Sequence, residues 1–534
     1  MSGTTSARRA AAWALAIVAA AVVVLRAPSL RVDILNEDEA LYATTAASMA
    51  TGQPPYRAGV ESKPPGVFYL YEAGFALVGR YNMIGLHALT ILWVLGTAIA
   101  VGALARRASP TSTAGPPRRL TTPVIASLLY AGFVIVQEPQ VLASQCELLY
   151  SLPLAIAAWL IVRRGLGAGP GAVIALAGAG VLCGLATLIK PTAVSLPAAA
   201  AAWLVLRRPV LGAGSRFAGD VGRAAALWLG VAIAWGLAAL YFTRLGVWHD
   251  LIYWAFRWTL GLYIPTGTAH SPWLVRFAAS FLPWLGLVMI LWVLAVVALR
   301  GVRPRTAAAA SEPTQVTWLL AAWTLAATAM IFLGGRFYDH YFPAVIPPLA
   351  ALAAVGFARV RDSRRWCRAV AIGALVPVVG CWLASWPFAR TMQWLGNEPN
   401  AYDQISTYVH DHTRADERVF VWGYFPLIYV AADRLSATRF VGCHYVTGYA
   451  AIGLAQDLPA EIEDKLGVPD AIPTLLADLE AFRPALIIDT APASLHHWRR
   501  YPLSRYPDLA RYVADHYRAE ATVQAAVIYR RTRP

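Results

Sequence analysis

Three acids in a row, Glu37-Asp38-Glu39, follow Asn36 directly after the first apolar stretch of this 534-residue chain. Acids at a helix start are stabilised by its dipole, which accounts for one of them. Three side by side repel one another, and a cap alone does not require that. The cluster is therefore a candidate general base or metal-ligand set, with Asp38 and Glu39 as the catalytic candidates. Lysine usage adds to this. Arginine outnumbers lysine 42 to 3, yet Lys63 and Lys190 each precede a proline. A compact ammonium where arginine is otherwise the rule suits a phosphate; a lysine reaching toward a membrane interface is the plainer reading. A third cluster, Gly334-Gly-Arg336-Phe-Tyr-Asp339-His340-Tyr341, compresses a cation, an acid, a histidine and two tyrosines into one short turn. Arg336 either pairs with Asp339 or clamps a phosphate, with His340 as a further donor. Glu147, at the start of a later apolar run, is the remaining acid. Acids that deprotonate an acceptor hydroxyl or hold a metal, together with cations that stabilise a departing phosphate, suit transfer from a phosphorylated lipid.

The elements that must position these residues are membrane helices. The chain is 58% hydrophobic and 14% charged, with mean hydropathy +0.51. A soluble surface needs about a quarter charged residues, so lipid is the main solvent. The net charge of +15 does not indicate nucleic acid. The arginines sit in short clusters at the ends of apolar runs, where membrane topology uses them. Arg8 and Arg9 before Ala10–Leu25 resemble a signal peptide, but no small-x-small cleavage site follows, so a retained first span is expected. Five scattered cysteines (Cys146, Cys183, Cys367, Cys381, Cys443) form no C-x-x-C pair and argue against a disulfide framework or zinc–thiolate site.

Apolar runs of membrane-crossing length predict about eleven spans: 10–26, 84–104, 120–137, 147–162, 171–189, 192–206, 224–242, 274–298, 316–334, 342–358 and 369–388. Alternation from a cytoplasmic N-terminus puts Arg8, Arg9, Arg106, Arg107, Arg118, Arg119, Arg163, Arg164, Arg207, Arg208, Arg216 and Arg223 on the inner side. Arg300, Arg303, Arg305, Arg359, Arg361, Arg364, Arg365 and Arg368 fall there too, against only Asp220, Glu312 and Asp362. This is the positive-inside asymmetry. It sends the candidate residues and the C-terminal segment to the outer face.

Two domains are expected. Residues 1–390 form a transmembrane domain with a long first outer loop, 27–83, that contains a helical stretch at Glu39–Ala50 and an apolar segment at Val67–Val78 lying on the membrane or packed within the protein. The aromatic segment Gly246–Pro272 (with Arg257 beside Trp258) reads as an interfacial belt or part of a site. Residues 391–534 form a small soluble α/β domain, with strands at Val419–Trp422, Ala485–Ile488 and Ala521–Arg530 and a helix at Ala471–Phe482. It has no Gly-rich nucleotide loop and no G-x-S-x-G.

An ordered set of motifs gives a more specific indication. It begins with Asp38-Glu39-Ala-Leu-Tyr42-Ala, Gly52-Gln-Pro-Pro-Tyr56 and Glu61-Ser-Lys63-Pro-Pro65. Glu147-Leu-Leu-Tyr-Ser-Leu-Pro153, Lys190-Pro-Thr and Gly335-Arg-Phe-Tyr-Asp-His340-Tyr-Phe follow. In this order the chain resembles the glycosyltransferase C superfamily, bacterial family 39/83 branch, which includes protein O-mannosyltransferases and the aminoarabinose transferases that modify lipid A. The resemblance implies a polytopic α-helical enzyme of glycosyltransferase C type in the bacterial inner membrane. It implies inverting transfer of a hexosyl or pentosyl group from a polyprenyl-phosphate donor to an extracytoplasmic glycolipid, glycan or protein. It also implies Asp38 as base or metal ligand and Lys63 near the lipid phosphate, with Lys190, Arg257, Arg336 and His340 as further phosphate partners and Tyr42, Tyr56 and Tyr341 in the substrate pocket. A divalent ion (Mg, Mn, Ca or Zn) would use Asp38, Glu61 and Glu147. Family members often have Glu immediately before the lysine, whereas here Ser62 intervenes. The soluble domain resembles the family's periplasmic domain, whose role is not catalytic. Two other classes fit parts of the pattern. A lipid or sugar transporter or flippase explains many spans, but places its charges near the midplane. An envelope polysaccharide polymerase or ligase shares the outward chemistry.

Overall fold

The computed structural model describes residues 2–109, 116–137, 139–165, 169–211, 217–269, 273–302, 311–391, 399–449 and 465–532. Arg216, Arg303 and Arg305 of the expected inner loops lie outside the described residues. The first nine helices are α1 (Ser2–Arg26), α2 (Glu37–Met49), α3 (Gly66–Val78), α4 (Met83–Ala108), α5 (Pro116–Phe133), α6 (Cys146–Leu160), α7 (Pro170–Ile189), α8 (Ser195–Leu211) and α9 (Phe217–Arg244). Further apolar helices follow at Met289–Arg300, Glu312–Ile331, Ile346–Val360 and Arg364–Thr391.

Among the described residues, eight helices are long and apolar enough to cross a membrane, and Trp273–Leu287 with Met289–Arg300 makes a ninth, bent by 62°. Leu120–Phe133 and Pro191–Leu206 are shorter apolar helices. Each expected span therefore meets a helix, but two of those helices fall short of full length. The cause at the second is local: Lys190 is extended (φ −154°), and Pro191, which has no N–H to continue a helix, starts a separate 3₁₀ turn. Side chains such as Trp13, Leu229, Leu237 and Ile372 are exposed around the bundle. Such a surface is favourable only against lipid, and the chain is a multi-pass membrane protein.

Where hydrophobic burial gives no drive between helices, close approach through small residues does. A Cβ on Gly180 of α7 would stand 2.0 Å from the Leu227 carbonyl oxygen of α9, and one on Gly230 would stand 2.0 Å from Ala177 O. Gly184 meets Ala234 one turn on. Backbone contact along this seam leaves no room for side chains. Gly66 has the same use at the start of α3, where a Cβ would lie 2.6 Å from Leu188 O. That contact seats Lys63-Pro-Pro beside the end of α7 and hence beside Lys190. The Val67–Val78 segment is accordingly a packed helix, burying Val67, Phe68, Tyr71, Gly74 and Phe75.

The C-terminal part holds a five-stranded sheet in the order β2-β1-β3-β5-β4, from β1 (Arg418–Trp422), β2 (Leu435–Ser436), β3 (Leu486–Asp489), β4 (Tyr517–Val523) and β5 (Ala526–Arg531). β2, β1 and β3 run parallel, while β5 and β4 are antiparallel. The single strand expected over Ala521–Arg530 is a hairpin instead. Gln524 and Ala525 both take positive φ (48° and 63°), the conformation of a two-residue turn that reverses the chain. The sheet packs onto the 27–83 loop: Val60 N–H donates to Arg439 O (2.8 Å), and Arg80 pairs with Asp433 (2.8 Å).

The 27–83 loop is anchored from below by Glu39. Its Oε1 accepts from the Ser144 N–H at 2.8 Å, its Oε2 accepts from the Leu35 N–H at 3.0 Å, and His87 Nε2 lies 2.9 Å from Oε1. Burial pushes this carboxyl up, but His87 and the two N–H donors more than offset it and hold it below the usual range. Glu39, expected beside Asp38 as a catalytic acid, is instead fully buried with both oxygens occupied. Asn36 caps α2 by accepting from the Glu39 N–H at 2.9 Å. Glu39→Ala strips a buried network of its only carboxylate, a loss of about 3–5 kcal/mol. We expect a clearly lowered thermal midpoint in detergent. An unchanged midpoint would show that the anchor contributes nothing.

Candidate active site

The N-terminus of α2, the Glu61–Lys63 turn, the start of α6, the end of α7, the 338–344 turn and loops of the sheet domain converge on one cavity of about 320 Å³. Asp38, Glu61, Lys63, Glu147, Lys190, His340 and Tyr341 all line it, although 303 positions separate the first from the last. Its other side is apolar, with Phe256, Leu260, Ile264, Met330, Ile331 and Leu333.

Each lysine is paired with a glutamate. Lys63 Nζ donates to Glu61 Oε1 at 3.0 Å, and Lys190 Nζ donates to Glu147 Oε1. Aromatic faces support both ammonium groups: Lys190 Nζ stands 4.3 Å from the Tyr341 ring centre and Lys63 Nζ 5.7 Å from that of Tyr42. Glu61 Oε1 also accepts from Ser62 N–H (2.7 Å), Ser62 Oγ (2.8 Å) and Tyr445 Oη (3.0 Å). Burial alone would raise the Glu61 carboxyl, but the Lys63 charge and hydrogen bond hold it below its usual range. Lys63 is the counterpart: burial pulls it down, and Asp38 and Glu61 lift it well above the ordinary lysine value. The pair is charged at neutral pH. Burial pushes His444 down to about 4, so that imidazole is neutral.

Asp38 differs from the other acids. Its one hydrogen bond among the described residues is a long one of 3.4 Å from Tyr42 Oη. It is the cavity carboxylate with the most free acceptor capacity, which a base requires. A resident divalent ion fits less well. Glu61 Oε1 is saturated by donors, Glu147 is engaged by Lys190, and no three His, Cys, Asp or Glu side chains among the described residues gather as metal ligands. The expected Asp38–Glu61–Glu147 set is not assembled in this geometry.

Other expected residues stand behind the cavity or away from it. Tyr42 packs beneath Lys63, and Tyr56 Oη donates to the Lys63 carbonyl at 3.0 Å. Arg336 is buried, donates to the Tyr263 carbonyl at 2.9 Å and stacks 3.9 Å from the Tyr263 ring centre, so it backs a lining residue. Asp339, in the same turn, accepts from Gln137 Nε2 at 2.5 Å. Arg257 is exposed on the outer surface of its helix and does not line the cavity.

The sheet domain supplies what sequence reasoning missed. Tyr424, directly after β1, and His444, Tyr445 and Tyr449 line the cavity. Tyr445 Oη accepts from the Ser62 N–H at 2.9 Å as it donates to Glu61, and its ring packs on Trp254 and Trp258 at 5.2 and 5.0 Å. His496 adds a second contact, with Nε2 2.6 Å from Glu37 Oε1. These partners lie hundreds of residues apart in the chain, so no local spacing signals them. The domain therefore forms part of the cavity wall.

With this geometry in hand, comparisons with known proteins bear on the fold. No protein-family model matches the chain, and no curated protein matches it. Solved structures do. ArnT from Cupriavidus metallidurans, in a crystal structure bound to undecaprenyl phosphate, superposes with a TM-score of 0.59 at 14% identity, over 97% of this chain and 98% of that one. The archaeal oligosaccharyltransferase AglB from Archaeoglobus fulgidus, in complex with an inhibitory peptide and a dolichol-phosphate, gives 0.53 at 13% identity, over 97% of this chain and 74% of that one. The A. fulgidus oligosaccharyltransferase complex with Zn and sulfate gives 0.50 at 14% identity, over 97% and 73%. The chain thus has the glycosyltransferase C fold.

Tyr445→Phe keeps the ring packing and removes one hydroxyl that bridges the sheet domain to Glu61 and Ser62. Losing about 1 kcal/mol there should speed local opening several-fold. Hydrogen exchange at Val60–Lys63 is expected to quicken with the global midpoint unchanged. Unaltered exchange would mean that Lys63 and Ser62 hold Glu61 without help.

Proposed function

We propose that this protein is an inverting membrane glycosyltransferase that moves a hexosyl or pentosyl group from a polyprenyl-phosphate donor to a hydroxyl acceptor at the outer face of the bacterial inner membrane. In this reading the N-terminus is cytoplasmic and the sheet domain is extracytoplasmic, with residues 1–390 as the transmembrane domain and 391–534 as the soluble one. The observation that carries the proposal is a lightly bonded acid, Asp38, in the same cavity as two glutamate-paired lysines, within a glycosyltransferase C fold. The lipid phosphates bound by ArnT and AglB support a donor of this class here.

Asp38 accepts the proton of the acceptor hydroxyl as that oxygen bonds to the anomeric carbon. The bond from this carbon to the phosphate oxygen breaks, and the lipid phosphate leaves with the electron pair. Lys63 and Lys190 stabilise the departing phosphate, since an ammonium has three donors and spends one on its glutamate. The apolar side formed by Leu260, Ile264 and Ile331 suits the prenyl chain. Arg336 acts at one remove by holding Tyr263, and Tyr42 and Tyr56 by seating Asp38 and Lys63. No step is routed through a metal.

A transporter reading has less support. The charges sit at helix ends and in loops, where a transfer site open to an acceptor needs them, while transport sites gather near the midplane. The family 39/83 branch supplies the preferred donor chemistry, and the acceptor spans glycolipid, glycan and protein.

Purified protein in nanodiscs, supplied with a polyprenyl-phosphate sugar and envelope acceptors, tests this reading. Asp38→Asn should lower transfer by at least about a hundredfold, as loss of a general base does, with binding of undecaprenyl phosphate retained. Lys63→Ala should weaken that binding instead. Full activity in Asp38→Asn would remove Asp38 as the base.

A further inference from the structure

Several polar atoms in the cavity wall have no hydrogen-bond partner among the described residues, and two of them lie close together in the sequence. Gln145 and Glu147 are 3% and 2% exposed, both line the cavity, and among the described residues neither Gln145 Nε2 nor Glu147 Oε2 has a hydrogen-bond partner. They stand two positions apart at the start of α6, where Gln145 is the residue before the first turn and its side chain makes no capping bond. A buried donor or acceptor left without a partner is unfavourable, and native proteins keep such groups mainly where something else completes them. Here the missing group has a defined character. It must donate to a carboxylate oxygen or accept from an amide N–H of the cavity wall. A hydroxyl does both. A phosphate oxygen only accepts, so Glu147 would repel it. An ammonium only donates, and the Glu147 charge is already offset by Lys190. The wall is therefore suited to a neutral hydroxyl group.

We infer that Gln145 and Glu147 form a hydroxyl-reading subsite for a sugar ring within the cavity that Asp38 and Lys63 also line. The inference rests on the reading of the cavity as a transferase site and names the group that selects the sugar. Tyr150 and Thr192 line the same cavity and supply further side-chain hydroxyls beside the pair. The carboxylate is held by Lys190 through its other oxygen, so its free oxygen is fixed in place before the sugar arrives. Preorganised polar groups of this kind reject analogues lacking the matching hydroxyl, because the wall is then left unsatisfied.

The test uses the full chain in nanodiscs, without turnover. Saturation-transfer NMR would measure binding of methyl pyranosides (glucoside, mannoside, galactoside, xyloside, arabinoside) and of their monodeoxy counterparts. Undecaprenyl phosphate would be titrated separately. At least one glycoside should bind, and removing one particular hydroxyl should weaken it about tenfold. Gln145→Ala should weaken the parent glycoside by a similar factor and abolish its preference over that deoxy analogue, as expected of two groups in contact. Because this side chain makes no hydrogen bond among the described residues, its loss is expected to leave the fold in place, and retained binding of undecaprenyl phosphate is the check. The inference is overturned if no glycoside binds the wild-type chain, if every deoxy analogue binds as well as its parent, or if Gln145→Ala keeps the discrimination. Loss of undecaprenyl phosphate binding in the wild-type chain would count against the transferase reading alone, since the glycoside series is decided without it.

Discussion

The buried carboxylate of Glu61 is the interaction on which the site depends. One of its oxygens takes donors from Lys63, from both groups of Ser62 and from Tyr445 of the sheet domain. A charge removed from water is costly unless paired and hydrogen-bonded, so each of these groups is constrained by the requirement to satisfy it. That single demand fixes where Lys63 stands and how the sheet domain meets the membrane part. It also brings Tyr445 against Trp254 and Trp258 of the aromatic segment.

A second constraint is that lysine cannot enter such a cavity alone. Glu61 and Glu147 each neutralise one, and the aromatic faces of Tyr42 and Tyr341 support the ammonium groups further. Buried ion pairs contribute little net stability, and their use here is positional. They place two cations against glutamates, while no ion pair of 4 Å or less reaches Asp38 among the described residues. An acid locked in a salt bridge makes a poor proton acceptor, so the lightly held acid and the saturated ones have different uses. Glu39 illustrates the point: one residue from Asp38, it faces the opposite way and holds the loop to α4 through His87.

Much of the fold is legible in the sequence because lipid and backbone impose strong, local rules. Apolar runs of sufficient length locate a helix at each expected position, and the helix Ala471–Phe482 is found where its pattern predicts it. The readings that shift do so for local reasons that hydropathy does not register. Lys190-Pro191 interrupts one apolar run, two positive-φ residues fold one expected strand into a hairpin, and Gly180 and Gly230 allow backbone contact that a hydropathy scale cannot see. The site is legible in part. Acids and lysines that are unusual for their surroundings do meet in the cavity, while Glu39, Arg257 and Arg336 carry the same charges elsewhere. Residue type and approximate side identify candidates, but one helical step of about 100° separates a lining group from a buried anchor.

Composition and spacing alone place this chain in a membrane, distribute its arginines between loops, and single out the few charged residues that are out of place in an apolar protein. These follow from composition and from periodicities of a few residues, which act locally. Which of those residues share a cavity is a matter of long-range packing, seen first in the folded chain. It alone pairs each lysine with its glutamate and leaves Asp38 lightly bonded. It also places Tyr424, His444 and Tyr445 of the sheet domain across from the acids. Such contacts join positions as far apart as Glu61 and Tyr445, 384 residues away, and are set by packing at Gly66 and by the pairing of buried charge. No pattern within one segment encodes them.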